Sequence, residues 1–311
     1  MASSKPTEEE LVTRIRGEIT DSLGYLGDTI SKQREQAMQY YYGLPFGNEV
    51  AGRSQFVDTT VADTIEWIKP SLMRIFASGD NMVTFEPHGP EDVAAAKQAT
   101  DYVNYVFQKD NNGWEILYSW FTDALLSKNG IVKAWWDETE EWNREEYSNL
   151  TEDELAVLLN DPNVEVVEHT PPGEPVPPSE FLISRESKSI EDARFVCHRV
   201  IKTLSELREM YPDKNLEVED MKGGGDDMAT FSAERLERYM YDKSAKYWEG
   251  WAGDETYGED GLRTYWLHES YLRTDWDGDG ITELRRVCTV GSIVLANEEI
   301  YLDAKSHGQH V

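Results

Sequence analysis

Residues 263–297 read RTYWLHESYLRTDWDGDGITELRRVCTVGSIVLAN, and this run sets the architecture of the C-terminal half. Three of its segments, 263–274, 283–290 and 292–297, are rich in the β-branched and aromatic residues that favour strands. An aspartate loop joins the first segment to the second, and a tight Gly291-Ser292 turn joins the second to the third. Connections this short join antiparallel neighbours. The sequence therefore predicts an antiparallel sheet here.

Two more strands and one helix precede this run. EFLIS (180–184) and RFVCHRVI (194–201) have the composition of strands. Thr203 and Glu206 have the spacing of a capping box, which predicts that the helix LSELREMY (204–211) begins there. Pro212 is expected to end it. From residue 179 onward the chain is therefore predicted to be mainly β, with one helix between strands.

The N-terminal half is predicted to be helical. Apolar residues recur every three or four positions over 7–42, 58–78, 91–110 and 113–128. Thr7 and Glu10 form a capping box at the first helix, and Pro70 is expected to bend or split the second. The fold class is thus predicted to be α+β, with an N-terminal helical half followed by an antiparallel β-rich region.

The apolar positions also predict which helix faces are buried. The predicted core residues of the last three helices are Val61, Ile65, Ile68, Leu72, Ile75, then Val93, Tyr102, Val103, Val106, and finally Trp114, Leu117, Phe121, Leu125. IVKAWW (131–136) is predicted to be a buried strand. The acidic run 137–168 is interpreted as a solvated face or an inserted arm that contains a short helix. The alternative is a surface that collects cations. The following stretch, TPPGEPVPP (170–178), is predicted to be a stiff connector.

The charge of the chain excludes one class of function. It has 60 acidic and 30 basic residues, a net charge of −30, so it lacks the clustered Lys and Arg that neutralise nucleic-acid phosphates. The sequence contains no run of about eighteen apolar residues, which a membrane span would require. The N-terminal stretch MASSKPTEEELV lacks the apolar segment of a signal peptide. We therefore expect assembly in a cytoplasm. Cys197 and Cys288 are expected to be buried free thiols.

The aspartate loop could bind a metal ion. An EF-hand uses positions 1, 3, 5, 7, 9 and 12 of its loop as ligands. The residues at the first five of those positions are Asp275, Asp277, Asp279, Ile281 (through its carbonyl oxygen) and Glu283. The last position holds Arg286, a cation, and the flanks are strands rather than helices. The loop is therefore either a Ca²⁺ site of structural importance or an ordinary turn, for which Asp and Gly are common residues.

Catalytic patterns are weak in this sequence. It contains no HExxH, GxSxG or P-loop motif. His198 and His268 fall in predicted strands, and His307 and His310 in a polar tail make a weak metal site at best. We predict that the protein is not an enzyme and requires no cofactor, with Ca²⁺ the only candidate ion.

One long motif points to a family. Residues 49–87, EVAGRSQFVDTTVADTIEWIKPSLMRIFASGDNMVTFEP, contain the spaced pattern GRSxxVxxxVxxxIExxxPxLxxxF. This stretch resembles the portal (head-to-tail connector) proteins of tailed, podovirus-like bacteriophages, as do the order and content of 178–212 and 275–286. The resemblance covers nearly the whole chain. The matching residues are Gly52, Arg53, Ser54, Val57, Val61, Ile65, Glu66, Pro70, Leu72 and Phe76.

The resemblance implies a division of the chain. We expect an N-terminal helical arm (1–48), a helical core of the portal wing (49–136), an acidic insertion with a Pro-rich connector (137–178), and a β-rich wing region (179–311). Family members are longer and continue into stem, clip and crown regions. This chain is therefore expected to be the wing region alone: a fragment, a split gene or a decayed prophage copy.

The resemblance also implies a function. Portal proteins form a ring, of about twelve subunits, at one capsid vertex, through which duplex DNA is packaged and ejected and to which the tail attaches. The implied partners are further copies of the chain, the terminase large subunit, capsid and scaffolding proteins, head-tail adaptor proteins and duplex DNA without sequence specificity, and no membrane. The implied location is the virion, after assembly in the host cytoplasm. Glu66, Arg53 and Arg74 are hypothesised to form ion pairs within or between subunits.

A competing interpretation comes from another class of protein. The aspartate loop and the acidity would also suit a calcium-dependent binding or adhesion module. The long helical first half and the lack of a secretion signal argue against that module.

Overall fold

A computed structural model describes residues 5–45, 47, 50, 52–54, 56–77, 79, 81–135, 173–214, 216 and 263–300. The chain divides into two compact units. The first comprises Met1–Lys69, Phe121–Ile131 and Val176–Gln309, and the second Pro70–Trp120, Val132–Pro175 and the last two residues. The short helix predicted within 137–168 lies outside the described residues.

The first unit begins with the predicted long helix. Helix α1 spans Glu8–Tyr25, a π-helical stretch follows over Leu26–Ser31, and α2 spans Lys32–Tyr42. The predicted capping box is confirmed: the Glu10 N–H donates to Thr7 Oγ1 at 3.2 Å, and the Thr7 N–H donates to Glu10 Oε2 at 3.0 Å. Gly43, with φ of 63°, ends α2 in the left-handed conformation that glycine adopts at little cost.

The predicted antiparallel sheet is confirmed. Its five strands lie in chain order: β3 (Phe181–Ile183), β4 (Phe195–Thr203), β5 (Thr264–Thr274), β6 (Glu283–Val290) and β7 (Ile293–Glu299). Every pair is antiparallel. A bulge at Cys288/Thr289 shifts the register between β6 and β7. Helix α6 (Leu204–Met210) follows β4 and has the predicted capping box of Thr203 and Glu206.

Helices cover both faces of the sheet. On one face, apolar residues of α1 pack against strand residues that include Leu182, Phe195 and Val287. On the other face, Leu204 and Leu207 of α6 pack with a second set of strand residues. Cys197 belongs to the first cluster and Cys288 to the second, and both are buried free thiols, as predicted. The alternation of side chains along each strand makes these two cores possible.

Helix α3 spans Thr60–Ala77 and continues through Pro70 as one helix, so Pro70 does not split it. Its predicted core face is partly wrong. The buried residues are Ile65, Lys69 and Met73, at every fourth position, whereas Val61, Ile68 and Ile75 are exposed. The apolar stripe of this helix is wider than the surface that covers it. The fold buries one edge of the stripe and leaves the other edge in solvent.

The second unit contains α4 (Val93–Tyr105) and α5 (Gly113–Ser127, whose last turns belong to the first unit). A two-stranded sheet pairs β1 (Ile131–Ala134) with β2 (Gly173–Val176). The strand predicted at 131–136 is confirmed over Ile131–Ala134, but its predicted burial is wrong, because the β1 residues are only half-buried or exposed. Trp114 was predicted to be a core residue and is exposed, while Ile116 and Leu117 are buried.

The buried face of α4 is polar, which corrects the sequence prediction. Val93 and Tyr102 are exposed, while Thr100 and Asn104 are buried. Asn104 Oδ1 accepts from the N–H groups of residues 82 and 83 at 2.7 and 3.1 Å, and its amide nitrogen donates to the carbonyl oxygen of residue 83 at 2.7 Å. Thr100 Oγ1 accepts from the N–H of residue 85 at 3.0 Å. The helix thus satisfies the backbone of an extended segment, which an apolar face could not do.

Candidate functional site

The aspartate loop is the first candidate site. It joins β5 to β6, as predicted, and brings three carboxylates together. One oxygen atom from each of Asp275, Asp277 and Glu283 lies within 4.8 Å of the other two. Asp279 lies in the same loop, but its carboxylate does not belong to this group. Among the residues that the structure describes, this is the one acidic, His or Cys group with spacing suited to a metal ion.

The loop is shaped by its own carboxylates. Asp275 accepts from the N–H of Gly278 at 2.7 Å with one oxygen and from the N–H of Gly280 at 3.0 Å with the other. Asp277 Oδ1 accepts from the Asp279 N–H at 3.1 Å, and Asp279 Oδ1 from the Ile281 N–H at 2.7 Å. Gly278 and Gly280 have φ of 84° and 90°, where a side chain would be strained.

A guanidinium group adjoins the same loop. Arg285 Nη1 lies 3.6 Å from Glu283 Oε2 and 3.9 Å from Glu299 Oε2, and its guanidinium carbon lies 5.5 Å from the centre of the Trp276 ring. Glu283 Oε2 also accepts from the Trp276 N–H at 3.3 Å. Arg285 therefore offsets part of the negative charge that would attract a cation. Ca²⁺ binding by this loop stays a prediction.

Calcium is expected to stabilise the chain through Asp275. Ligand at about one hundred times its dissociation constant stabilises the folded state by about 2.7 kcal/mol, which raises the melting temperature by several degrees. Calorimetry with Ca²⁺ and with chelator measures this shift. The shift should disappear in Asp275→Asn and persist in Asp192→Asn, an exposed aspartate outside the loop. An unshifted wild-type melting temperature would exclude the site.

A second polar cluster lies on the sheet face that α6 covers. Glu269 Oε1 accepts from the Tyr271 hydroxyl at 2.8 Å and from Arg286 Nε at 2.7 Å, and Arg286 Nη1 donates to Glu298 Oε2 at 3.2 Å. Burial, together with the charge of Glu269, raises the pKa of Tyr271. Burial likewise raises the pKa of Cys288, which pairs with Glu269 across the strands. The thiol and the phenol therefore stay protonated, which suits a structural ion-pair cluster rather than a nucleophilic site.

Glu66, a residue of the family motif, is paired within the chain. Its Oε1 lies 2.5 Å from Lys69 Nζ and also accepts from the Tyr41 hydroxyl. The hydrogen bond from Lys69, reinforced by the one from Tyr41, lowers the pKa of Glu66. Glu66 therefore forms an ion pair within the chain, and its partner is Lys69, three residues later on the same helix. Arg53 and Arg74 have no ion-pair partner in the described part of the chain.

In the described part of the chain, the histidines belong to no group with the spacing of metal ligands. His198 and His268 lie in β4 and β5, as predicted, and His268 is buried. His169, His307 and His310 lie outside the described residues. Within the described part of the chain, no helix is long and apolar enough to cross a bilayer.

Comparison with known proteins identifies the family. A family profile described as phage SU10 portal protein matches residues 11–175 and 173–306. The two segments run from α1 to just beyond β7, which is most of the chain. This chain belongs to the phage SU10 portal protein family. The resemblance drawn from the motif around Gly52 and Pro70 is confirmed. A comparison with curated proteins finds no match.

Family membership sets the general role of this portal protein. The family is one of structural proteins, and membership implies a component of a phage virion. The comparison gives no support to the interpretation as an adhesion module.

Two buried residues of the first unit, Lys69 and Arg199, are not among the residues predicted from the sequence. Lys69 is buried in α3 beside Glu66, and Arg199 is buried in the middle of β4. The three-residue spacing of Glu66 and Lys69 was a usable signal, because such pairs meet on a helix. Arg199 had no comparable signal, since its partners are Ser179 and Trp266, which are distant in sequence.

Proposed function

We propose that this portal protein forms a closed cyclic ring of about twelve copies at one capsid vertex. We further propose that duplex DNA crosses this ring during packaging and ejection. Family membership is the observation that carries this proposal. The terminase large subunit, capsid and scaffolding proteins and head-tail adaptors are the proposed partners. The ATPase that drives packaging belongs to the terminase, in keeping with the lack of a P-loop motif in this sequence.

The charge of the chain supports passage of DNA without attachment. Proteins hold duplex DNA chiefly by neutralising its phosphates with Lys and Arg. This chain has a net charge of −30, so its overall field repels the duplex. At physiological salt that field is screened over about 8 Å, which leaves room for local contacts but no general adhesion. A channel with such walls lets a polyanion slide.

Mass photometry and negative-stain imaging of the purified chain test the ring. Closed rings are expected, with about twelve times the 35.7 kDa mass of one chain. A labelled 30-base-pair duplex in the same samples is expected to show no retention at about 0.15 M salt. A chain that stays monomeric at micromolar concentration would contradict the ring. Tight, salt-sensitive retention of the duplex would contradict the proposed non-adhesive channel.

A further inference from the structure

Helix α3 presents large apolar side chains to solvent. Trp67 is 82% exposed, and Phe56, four residues ahead of the helix, is 83% exposed. Val61 and Ile68 are exposed at 39% and 40%. We call the three helical residues among them, Val61, Trp67 and Ile68, the outward α3 face. Scattered apolar residues are normal on protein surfaces, but several on one helix face mark a contact surface.

The spacing on this face suits packing against a helix. Val61 and Ile68 are seven residues apart and both β-branched, and Ile75 repeats the interval on the same helix. Residues seven apart lie on one line along a helix, and β-branched residues at this interval form the seam of helix pairs. Among the described residues of α3, the buried ones are Ile65, Lys69 and Met73, which lie on the adjoining line.

The charge on α3 favours a second copy of this chain as the partner. The helix has two acidic residues, Asp63 and Glu66, and two basic residues, Lys69 and Arg74, so its formal charge is zero. Glu66 and Lys69 neutralise each other at 2.5 Å. In a chain with a net charge of −30, two copies repel each other over most of their surface. A neutral apolar helix is where like-charged copies can approach.

A ring also needs a second, different surface on each copy. Contacts around a ring are head-to-tail, so one patch meets another patch that is not itself. The second unit offers exposed aromatic side chains for this role: Tyr102 and Tyr105 lie three residues apart on α4, and Trp114 on α5 stacks on Tyr118 with ring centres 5.3 Å apart. Aromatic residues of this kind dominate the centres of protein interfaces.

We propose that the outward α3 face of one copy packs against the exposed aromatic residues of α4 and α5 of the next copy. This inference rests on the proposed ring and assigns the surfaces that build it. An apolar patch of aromatic and β-branched side chains then lies between neighbours, while the acidic surfaces stay in solvent.

Matched aspartate substitutions test the first surface. Ile68→Asp places a charge within the outward α3 face, and Ile190→Asp makes the same change at a residue 42% exposed and outside it. Ile68→Asp is expected to weaken ring formation at least tenfold, measured as the concentration at which half the chains assemble. Ile190→Asp should assemble like the wild type. Both variants should keep the wild-type melting temperature. Rings of Ile68→Asp at wild-type concentrations would overturn the inference and leave the proposed ring intact.

Photo-cross-linking tests the pairing of surfaces independently of ring closure. The photoreactive amino acid p-benzoylphenylalanine replaces Trp67, and cross-linked peptides are mapped by mass spectrometry. Adducts between two copies that map to residues 93–120 are expected. Adducts within one chain, or to another protein in a phage-infected lysate, would overturn the inference. Adducts between copies in a chain that forms no rings would support the α3 contact and contradict the ring.

Discussion

Replacing Ile15 by alanine is expected to lower the free energy of unfolding by about 2–5 kcal/mol, the range for truncating a buried aliphatic side chain. Ile15 is 1% exposed and belongs to the apolar cluster that joins α1 to the five-stranded sheet. Alanine keeps the helical propensity of α1, so the loss reports packing and not helix formation. Chemical denaturation followed by tryptophan fluorescence measures the change.

Thr13→Ala is the control for Ile15→Ala. Thr13 lies on the exposed side of the same helix, and its hydroxyl donates only to the Glu9 carbonyl oxygen one turn earlier. A surface change of this kind costs less than about 0.5 kcal/mol. Equal, small losses in both variants would show that α1 does not pack on the sheet as described.

Replacing Arg199 by alanine is expected to cost about 2–5 kcal/mol, because a large buried side chain is truncated and the carbonyl oxygen that it serves loses its donors. The side chain is fully buried. Its Nε and Nη2 both donate to the Ser179 carbonyl oxygen, at 3.1 and 2.9 Å, and its guanidinium carbon lies 4.7 Å from the centre of the Trp266 ring. Alanine leaves that carbonyl without these donors and opens a cavity between β4 and β5.

Two further variants separate the causes of that loss. Arg199→Met fills most of the volume without burying a charge, so it should cost less than Arg199→Ala. Arg194→Ala removes an exposed arginine whose Nε lies 3.3 Å from Glu18 Oε1, and such surface pairs contribute at most about 1 kcal/mol. Both comparisons use equilibrium unfolding in urea. If Arg199→Ala cost no more than Arg194→Ala, the buried arginine would not stabilise the sheet.

Much of the fold follows from local sequence patterns. The strands β4 to β7 were predictable because each is a short apolar run bounded by a turn or a cap, and both the aspartate loop and Gly291 require tight reversals of the chain. The capping boxes at Thr7 and Thr203 were predictable because their partners lie three residues away. The family motif could be identified for a similar reason, since it is one continuous stretch whose residues from Val61 to Phe76 lie on the single helix α3.

In the candidate site, the ligands predicted from the sequence differ from the residues that the structure brings together. The sequence predicted five ligands in the aspartate loop, and the structure groups Asp275, Asp277 and Glu283. Arg285 and Trp276, which adjoin that group, were not predicted as its neighbours. Which carboxylate oxygens come together depends on the hydrogen bonds that each carboxylate makes to the backbone of the loop. The residue types alone do not predict those hydrogen bonds.

Burial is where tertiary structure alone was decisive. The periodicity of α3 marked a broad apolar stripe, but the fold covers the line of Ile65, Lys69 and Met73 and leaves Ile68 exposed. In α4 it buries Asn104 because an extended backbone segment needs its amide. In β4 it buries Arg199 because the Ser179 carbonyl and the Trp266 ring happen to meet there. Hydrophobic periodicity is local information, whereas burial depends on partners that are distant in sequence. Only the folded chain therefore determines which apolar residues are covered and at which positions a polar residue is buried instead.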